Sequence, residues 1–219
     1  FQGEVTIVDN DGTPTVTIGD VTVNEGDGTA SVPVTLSSPS SVDTVIDIVT
    51  TTGTAGTADY TTTTTQVTIP AGSLTVNVII PILEDLLDEP NETFTVDGTL
   101  VSGTIDTAAS DFQGEVTIVD NDGTPTVTIG DVTVNEGDGT ASVPVTLSSP
   151  SSVDTVIDIV TTTGTAGTAD YTTTTTQVTI PAGSLTVNVI IPILEDLLDE
   201  PNETFTVDGT LVSGTIDTA

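Results

Sequence analysis

The chain repeats itself without error: residues 1–108 recur unchanged as residues 112–219, so Phe1 returns as Phe112 and Ala108 as Ala219. Whatever one copy folds into, its neighbour must fold into as well. A period of this length is that of a small domain rather than of a short solenoid unit. Perfect identity between neighbours is a habit of long arrays whose copies duplicate or correct one another, so the protein is expected to hold further copies.

Within one copy, apolar residues alternate with polar ones, and Thr fills many of the polar places, as suits a half-buried pleated surface. The alternation predicts seven strands per copy, at Thr15–Asn24, Ala30–Leu36, Thr44–Thr50, Gln66–Ile69, Leu74–Ile82, Glu92–Leu100 and Glu115–Val119. Ala30, Val32, Val34 and Leu36 are expected to face a core, together with Leu74, Val76, Val78, Ile80 and Ile82. Glu25-Gly26-Asp27-Gly28, Pro70-Ala71-Gly72 and Asp97-Gly98 carry turn chemistry. Pro33 and Pro81 fall inside strand patterns and are expected at sheet edges or bulges, because proline cannot donate to a ladder. Short strands at this spacing predict an all-β fold: two immunoglobulin-like sandwiches, end to end.

The segment Asp120-Asn121-Asp122-Gly123-Thr124-Pro125 joins charge, Gly and Pro between two strand patterns and reads as a linker. It sets the domain frame. Residues 1–13 are then the last strand of a preceding repeat, residues 14–122 a complete domain, and residues 123–219 a second domain lacking its last strand. The missing piece has a counterpart in Glu4–Val8 followed by Asp9-Asn10-Asp11. This predicts head-to-tail self-association: the N-terminal strand of one molecule completes the C-terminal domain of the next, and the contact propagates as a filament.

Charge narrows the function. The chain has 33 acidic residues and no Lys, Arg or His, for a net charge of −33. Such a surface repels nucleic acid and anionic lipid, and no apolar run approaches the roughly 20 residues needed to cross a bilayer as a helix. No membrane insertion is expected of this segment. Without His, Cys or Lys there is no ordinary nucleophile with a base beside it, so no enzyme is expected.

The acids are clustered as well as numerous. Glu84, Asp85, Asp88, Glu89 and Glu92 place five carboxylates in nine residues, directly after a strongly hydrophobic strand. Repulsion among them raises their pKa values or calls for a counter-ion, and an all-oxygen anionic site suits Ca²⁺ better than Zn²⁺. Other readings stay open beside this one. The run reads also as a solvated loop, Asp59-Tyr60 as a simple corner, and Asp120–Asp122 as a linker turn. Asp20, Asp43, Asp47, Asp97 and Asp106 read as plain surface charge.

Taken in order, Val23-Asn24-Glu25-Gly26, Gly53-Thr54-Ala55 with Ala58-Asp59-Tyr60, Ile69-Pro70-Ala71-Gly72, Ile82-Leu83-Glu84-Asp85 running to Asp88-Glu89-Pro90-Asn91-Glu92-Thr93-Phe94, and Val116-Thr117-Ile118-Val119-Asp120-Asn121-Asp122 resemble the Calx-β domain. The resemblance spans nearly the whole period. It implies a seven-stranded sandwich whose loops at one end gather calcium ligands, as in sodium/calcium exchangers and many large bacterial surface proteins. Residue by residue it implies ligands at Glu25, Asp59, Glu84, Asp85, Glu89, Glu92, Asp120 and Asp122. In the second copy the equivalents are Glu136, Asp170, Glu195, Asp196, Glu200 and Glu203, and Asp9 and Asp11 are the counterparts of the closing pair. Asn121 stands where calcium-sensing members often carry an Asp, and Glu84 replaces a common Asp.

The function expected is that of a calcium-binding spacer in the stalk of a secreted or cell-surface bacterial adhesin, with calcium stiffening the array. Identical copies supply length rather than diverse recognition, and an extracellular array without Cys has no disulfides to hold it. Its partners are neighbouring repeats of the same protein. A calcium-sensing regulatory module is the alternative reading, and Thr-rich runs such as Thr61–Thr65 hint at a carbohydrate- or ice-binding repeat.

Overall fold

Alternating Val, Ile and Thr produce strands through most of the chain, and the backbone packs as two units. The computed structural model describes residues 1–217; residues 218 and 219, the end of the second predicted domain, lie outside the described residues. The first unit comprises Phe1–Asp85 and Pro90–Asn121, and the second takes in Leu86–Glu89 and the chain from Asp122 onward.

The first unit is a sandwich of two sheets. Strands β1 (Val16–Ile18), β3 (Thr29–Leu36) and β6 (Thr75–Pro81) form one sheet in the order β1-β3-β6. Strands β2 (Val21–Asn24), β4 (Thr44–Thr52), β5 (Thr64–Ile69), β7 (Glu92–Ser102) and β8 (Gln113–Val119) form the other, in the order β2-β8-β7-β4-β5. Between them lies a core of Val16, Ile18, Ala30, Val32, Val34, Leu36, Ile46, Ile48, Val78, Ile80, Phe94, Val96, Val116 and Ile118. Tyr60 stacks on Phe94 with ring centroids 3.8 Å apart and planes 9° from parallel.

The predicted first strand, Thr15–Asn24, is two strands, because the chain changes sheets at Gly19-Asp20. Gly19 makes the crossing possible: a Cβ there would sit 2.9 Å from Pro33 Cγ. Asp97-Gly98 is not a turn but lies within β7, where a Cβ on Gly98 would meet Ile18 Cδ1 at 2.7 Å. Glycine is needed at that place to let the opposite sheet close. Leu74, expected inside, is exposed just ahead of β6.

Pro81 ends the edge strand β6, as expected of proline, with its carbonyl accepting from Thr61 N–H at 3.0 Å. Pro33 departs from the expectation and sits in β3, the middle strand. Its carbonyl accepts from Gly19 N–H at 2.9 Å, just beyond the end of β1. A residue's N and O point to the same side of an antiparallel strand, so the missing N–H falls where β1 has already stopped.

The second unit repeats much of this. Strands β9 (Val127–Ile129), β10 (Thr140–Leu147) and β13 (Thr186–Pro192) form a sheet in the order β13-β10-β9. Strands β11 (Thr155–Thr163), β12 (Thr175–Ile180) and β14 (Phe205–Ser213) form the other, in the order β12-β11-β14. The counterparts of β2 and β8 are absent among the described residues. Val127, Ile129, Phe205 and Val207 are accordingly only half-buried, whereas Val16, Ile18, Phe94 and Val96 are fully inside. Residues 1–13 form no strand and are exposed.

Candidate metal centre

Three loops of each unit are tied together by backbone hydrogen bonds, and the acids ride on them. In the first unit Glu25–Asp27 make a single 3₁₀ turn, closed by Asn24 N–H donating to Asp27 Oδ2 at 2.8 Å and ended by Gly28 at φ 72°. Ile82 N–H donates to Gly28 O at 3.1 Å, and Leu83 N–H to Asp59 O at 2.8 Å. Ala55 N–H donates to Thr93 O at 2.9 Å, while Thr93 N–H donates to Thr54 Oγ1 at 2.8 Å. These bonds bring the loops bearing Glu25, Asp59, Asp85 and Glu92 to one end of the sandwich. Gly53 permits the last contact, since a Cβ there would collide with the Thr93 carbonyl.

The second unit carries the same ties, with Leu194 N–H on Asp170 O at 2.8 Å and Ala166 N–H on Thr204 O at 3.0 Å. Its carboxylates converge in two overlapping groups. Oxygens of Glu136, Asp196 and Glu200 lie within 4.8 Å of one another, and so do oxygens of Asp170, Glu200 and Glu203. Glu200 belongs to both. In the first unit a Glu25 oxygen lies within 4.8 Å of Asp85 and one lies equally near Asp120, while Asp59 and Glu92 make a pair of the same kind. Glu89 and Asp122 fall in the segments whose backbone packs with the second unit.

Electrostatics mark the cluster as strained in charge. Desolvation, and then the charges of Asp196, Glu195, Glu200 and Asp170, push the Glu136 carboxyl above its usual range. Glu203 is raised too, first by desolvation, then by its hydrogen bond and charge interaction with Asp170 and by the charges of Glu200 and Glu136. No cation exists in this sequence to relieve them. Oxygens bound to one calcium ion lie at most about 5 Å apart, as twice a bond of about 2.5 Å requires, so each group is compact enough to share an ion. An all-carboxylate donor set fits a hard divalent cation and lacks the nitrogen and sulfur that zinc prefers.

Not every predicted ligand enters a group. Glu84 accepts instead from Asn121 Nδ2, at 3.3 and 3.2 Å to its two oxygens. The Asn121 that replaces an expected acid thus orients a neighbouring one. Glu195, the counterpart of Glu84, lies outside both groups of the second unit but acts on Glu136 through its charge. Asp9 and Asp11 are exposed, joined by a local bond from Asp11 N–H to Asp9 Oδ1 at 3.2 Å. Asp59 does two things at once: its Oδ2 accepts from Gly56 N–H at 2.5 Å, making a corner, and the same side chain lies beside Glu92.

The sequence reading missed two positioning side chains. Asn91 Oδ1 accepts from Asp120 N–H at 3.3 Å and so fixes the end of β8 beside the acidic run. Asp88 is buried, with its carbonyl accepting from Ser152 N–H at 3.1 Å and its Oδ1 from Thr124 Oγ1 at 3.4 Å. An amide within a run of acids is the available signal for the first; nothing local to the run distinguishes the second.

Comparison with known proteins bears on this arrangement. The family model described as the Calx-beta domain matches residues 8–122 and again residues 120–211. No protein with a curated description matches the chain. Among solved structures, the chain is similar to the CBD12 crystal structure from CALX1.2, with 20% identity over 82% of this chain and 74% of that one, at a TM-score of 0.46. The calcium binding domain CBD12 of CALX1.1 shares 20% identity, covering 89% and 79% of the two chains with a TM-score of 0.45. The apo form of the Calx CBD1 domain shares 22% identity over 51% of this chain and all of that domain, at a TM-score of 0.46. On the strength of the family match, whose two stretches together cover nearly all of the sequence, the chain belongs to the Calx-beta domain family.

Proposed function

We propose that both units bind calcium through the carboxylates gathered at the loop end, and that the repeated chain is a calcium-stiffened spacer in the stalk of a secreted bacterial surface protein. The observation that carries the calcium reading is the double convergence on Glu200, within 4.8 Å of Glu136 and Asp196 on one side and of Asp170 and Glu203 on the other. A cation bound there offsets the repulsion that raises Glu136 and Glu203. The family's calcium-binding members, such as the CBD12 domain of CALX1.1, support the same ion.

The spacer reading rests on the sequence. Two copies without a single difference add length and no new recognition surface, and a chain with no Cys must hold its form by other means than disulfides. Extracellular calcium is a ready cation for a chain of charge −33.

Calorimetric titration of calcium into the full chain tests the site. Glu200→Gln should abolish binding by the second unit, while Asp154→Asn, which removes a charge but keeps a carbonyl oxygen to accept from Ala182 N–H, a bond of 2.8 Å in the unaltered chain, should leave it in place. Equal losses from both would mean diffuse counter-ion binding and no dedicated site. Small-angle scattering tests the spacer: the largest dimension should grow, and its spread narrow, when calcium replaces chelator.

A further inference from the structure

Three carboxylates that converge at the loop end of the first unit each have an immediate chain neighbour in a second, outer cluster. Glu25 is followed by Gly26, Asp85 is preceded by Glu84, and Asp120 is followed by Asn121. Asn121 Nδ2 donates to the two oxygens of Glu84, at 3.3 and 3.2 Å. Both side chains rest on Gly26, where an added Cβ would sit 2.8 Å from Asn121 Nδ2 and 3.1 Å from Glu84 Oε2. The clusters form two layers. Glu25 is buried and Asp85 and Asp120 are half-buried, whereas Gly26, Glu84 and Asn121 are exposed.

We infer that Asn121 and Glu84 are positioning residues and not ligands: closed over Gly26, they latch the loops carrying Glu25, Asp85 and Asp120 into the arrangement that receives the ion. This role rests on the calcium reading given under Proposed function. Consecutive Cα atoms are about 3.8 Å apart, so a shift of any latch member passes directly to the carboxylate beside it. Glu84 enters none of the carboxylate groups among the described residues, while Glu25 has oxygens within 4.8 Å of Asp85 and of Asp120. The amide explains how the latch closes without a cation. Its N–H groups satisfy the Glu84 oxygens, where a carboxylate at position 121 would repel them.

Backbone ties hold each loop up to the latch. Asp120 N–H donates to Asn91 Oδ1 at 3.3 Å, just before Asn121. Ile82 N–H and Leu83 N–H donate to the carbonyls of Gly28 and Asp59 at 3.1 and 2.8 Å, just before Glu84. The turn bearing Glu25 and Gly26 is closed on itself by Asn24 N–H and Asp27 Oδ2 at 2.8 Å. The pair of Glu84 and Asn121 then joins two of these loops across the third. A ligand set held in place beforehand loses less freedom on binding, so the latch raises affinity without touching the ion.

The test is calorimetric titration of calcium into the full chain carrying Glu200→Gln, which removes uptake by the second unit and leaves that of the first to be read. Into this parent go Glu84→Gln, Glu84→Leu, Asn121→Leu, and the last two together. Glu84→Gln and Glu84→Leu both delete the charge, but only glutamine keeps an oxygen to accept from Asn121. Glu84→Gln should stay within about threefold of the parent, the Coulomb share of one exposed charge. Glu84→Leu should bind about tenfold more weakly than Glu84→Gln, and Asn121→Leu about tenfold more weakly than the parent. The paired substitution should be no worse than Glu84→Leu alone, because one contact is lost in each. A second readout needs no calcium. In chelator, the Asn121 side-chain amide should show a through-space NMR contact to the Gly26 α-protons that Glu84→Gln keeps and Glu84→Leu loses.

Equal affinities in Glu84→Gln and Glu84→Leu would overturn the inference, as would an Asn121→Leu chain that binds like the parent or an NMR contact indifferent to Glu84→Leu. Glu84→Gln preserves shape, so a tenfold loss from it makes Glu84 a ligand through its charge, even if a leucine variant fails to fold. An unaltered chain that takes up no calcium overturns the calcium reading and the latch with it. Calcium uptake with the wrong ranking of variants overturns the latch alone.

Discussion

Glu25 and Glu136 hold the same position in two identical sequences, yet Glu25 is 3% exposed and Glu136 lies open to solvent. The difference comes from β8. In the first unit β2 pairs with β8, and Asn121 closes over the turn: a Cβ on Gly26 would sit 2.8 Å from Asn121 Nδ2. In the second unit no strand forms at Val132–Asn135, and among the described residues none closes over the turn at Glu136 in this way. A buried, pre-arranged ligand set binds more tightly than an exposed one, because less ordering remains to be done on binding. Calcium titration should therefore resolve two classes of site. Glu25→Gln should remove the tighter class and Glu136→Gln the weaker; a single class lost equally through either substitution would contradict the burial argument.

The same asymmetry governs stability. Ile118 is buried in the first unit, so Ile118→Ala should cost about 2 to 5 kcal/mol in that unit's unfolding. Ile7→Ala changes an exposed residue of the same local sequence and should cost the dilute chain less than about 0.5 kcal/mol. Denaturant unfolding followed by hydrogen exchange reads each unit separately. Exchange should be faster in β14, whose outer edge has no strand beside it among the described residues, than in its counterpart β7, which is paired on both sides.

The sandwich itself was legible because its cause is local. Alternation at Ala30, Val32, Val34 and Leu36 is a direct record of one face turned inward, and all four are buried. What was not legible depends on partners distant in sequence. Nothing near Gly19 says that the chain changes sheets there, since the reason is the ring of Pro33. Nothing near Asp97-Gly98 distinguishes a turn from a strand, since Gly98 is small to make room for Ile18. The acids read as surface charge fared likewise. Asp43 Oδ1 holds Ala71 N–H at 2.8 Å, Asp47 Oδ1 holds Gln66 Nε2 at 2.8 Å, and Asp106 Oδ1 holds Ala108 N–H at 3.0 Å. They fasten loops and strands, and only the fold supplies their donors. At the metal centre the acidic run was visible as a run, but the sorting of Asp85, which nears Glu25, from Glu84 depends on Asn121.

Tyr60 offers a test of packing against hydrogen bonding. Its ring is fully buried against Phe94, and its hydroxyl has no hydrogen-bond partner among the described residues; Tyr171 repeats the situation beside Phe205. A buried unsatisfied hydroxyl costs about 1 to 3 kcal/mol. Tyr60→Phe keeps the stacked ring and deletes the burden, so the melting temperature should hold or rise. A fall comparable to that of a lost core hydrogen bond would show that the hydroxyl has a bound partner, such as water.

The raised carboxyls of the second unit set a pH dependence whose sign calcium should reverse. Glu136 and Glu203 lie above the ordinary glutamate value of 4.5 in the folded chain and return toward it on unfolding. Between those values the folded chain holds more protons than the unfolded one, so its stability falls as pH rises through the window. In chelator the second unit should thus melt higher at about pH 5 than at about pH 7. Asp97 has the opposite sign. Desolvation alone would raise it, but hydrogen bonds from Gln113, Thr51 and Thr95 outweigh that and hold it below 3.8. Its contribution is present above 3.8 and is lost as pH falls through the depressed folded value, so acid stabilisation of the metal-free chain should reverse below that point. With calcium bound the carboxylates must be ionised, and protons compete with the ion. The loaded chain should then melt lower at about pH 5 than at about pH 7, and calorimetric scans at both pH values with and without chelator should show the two trends crossing. Parallel trends in chelator and in calcium would mean that the ion is not held by the groups that carry the raised pKa values.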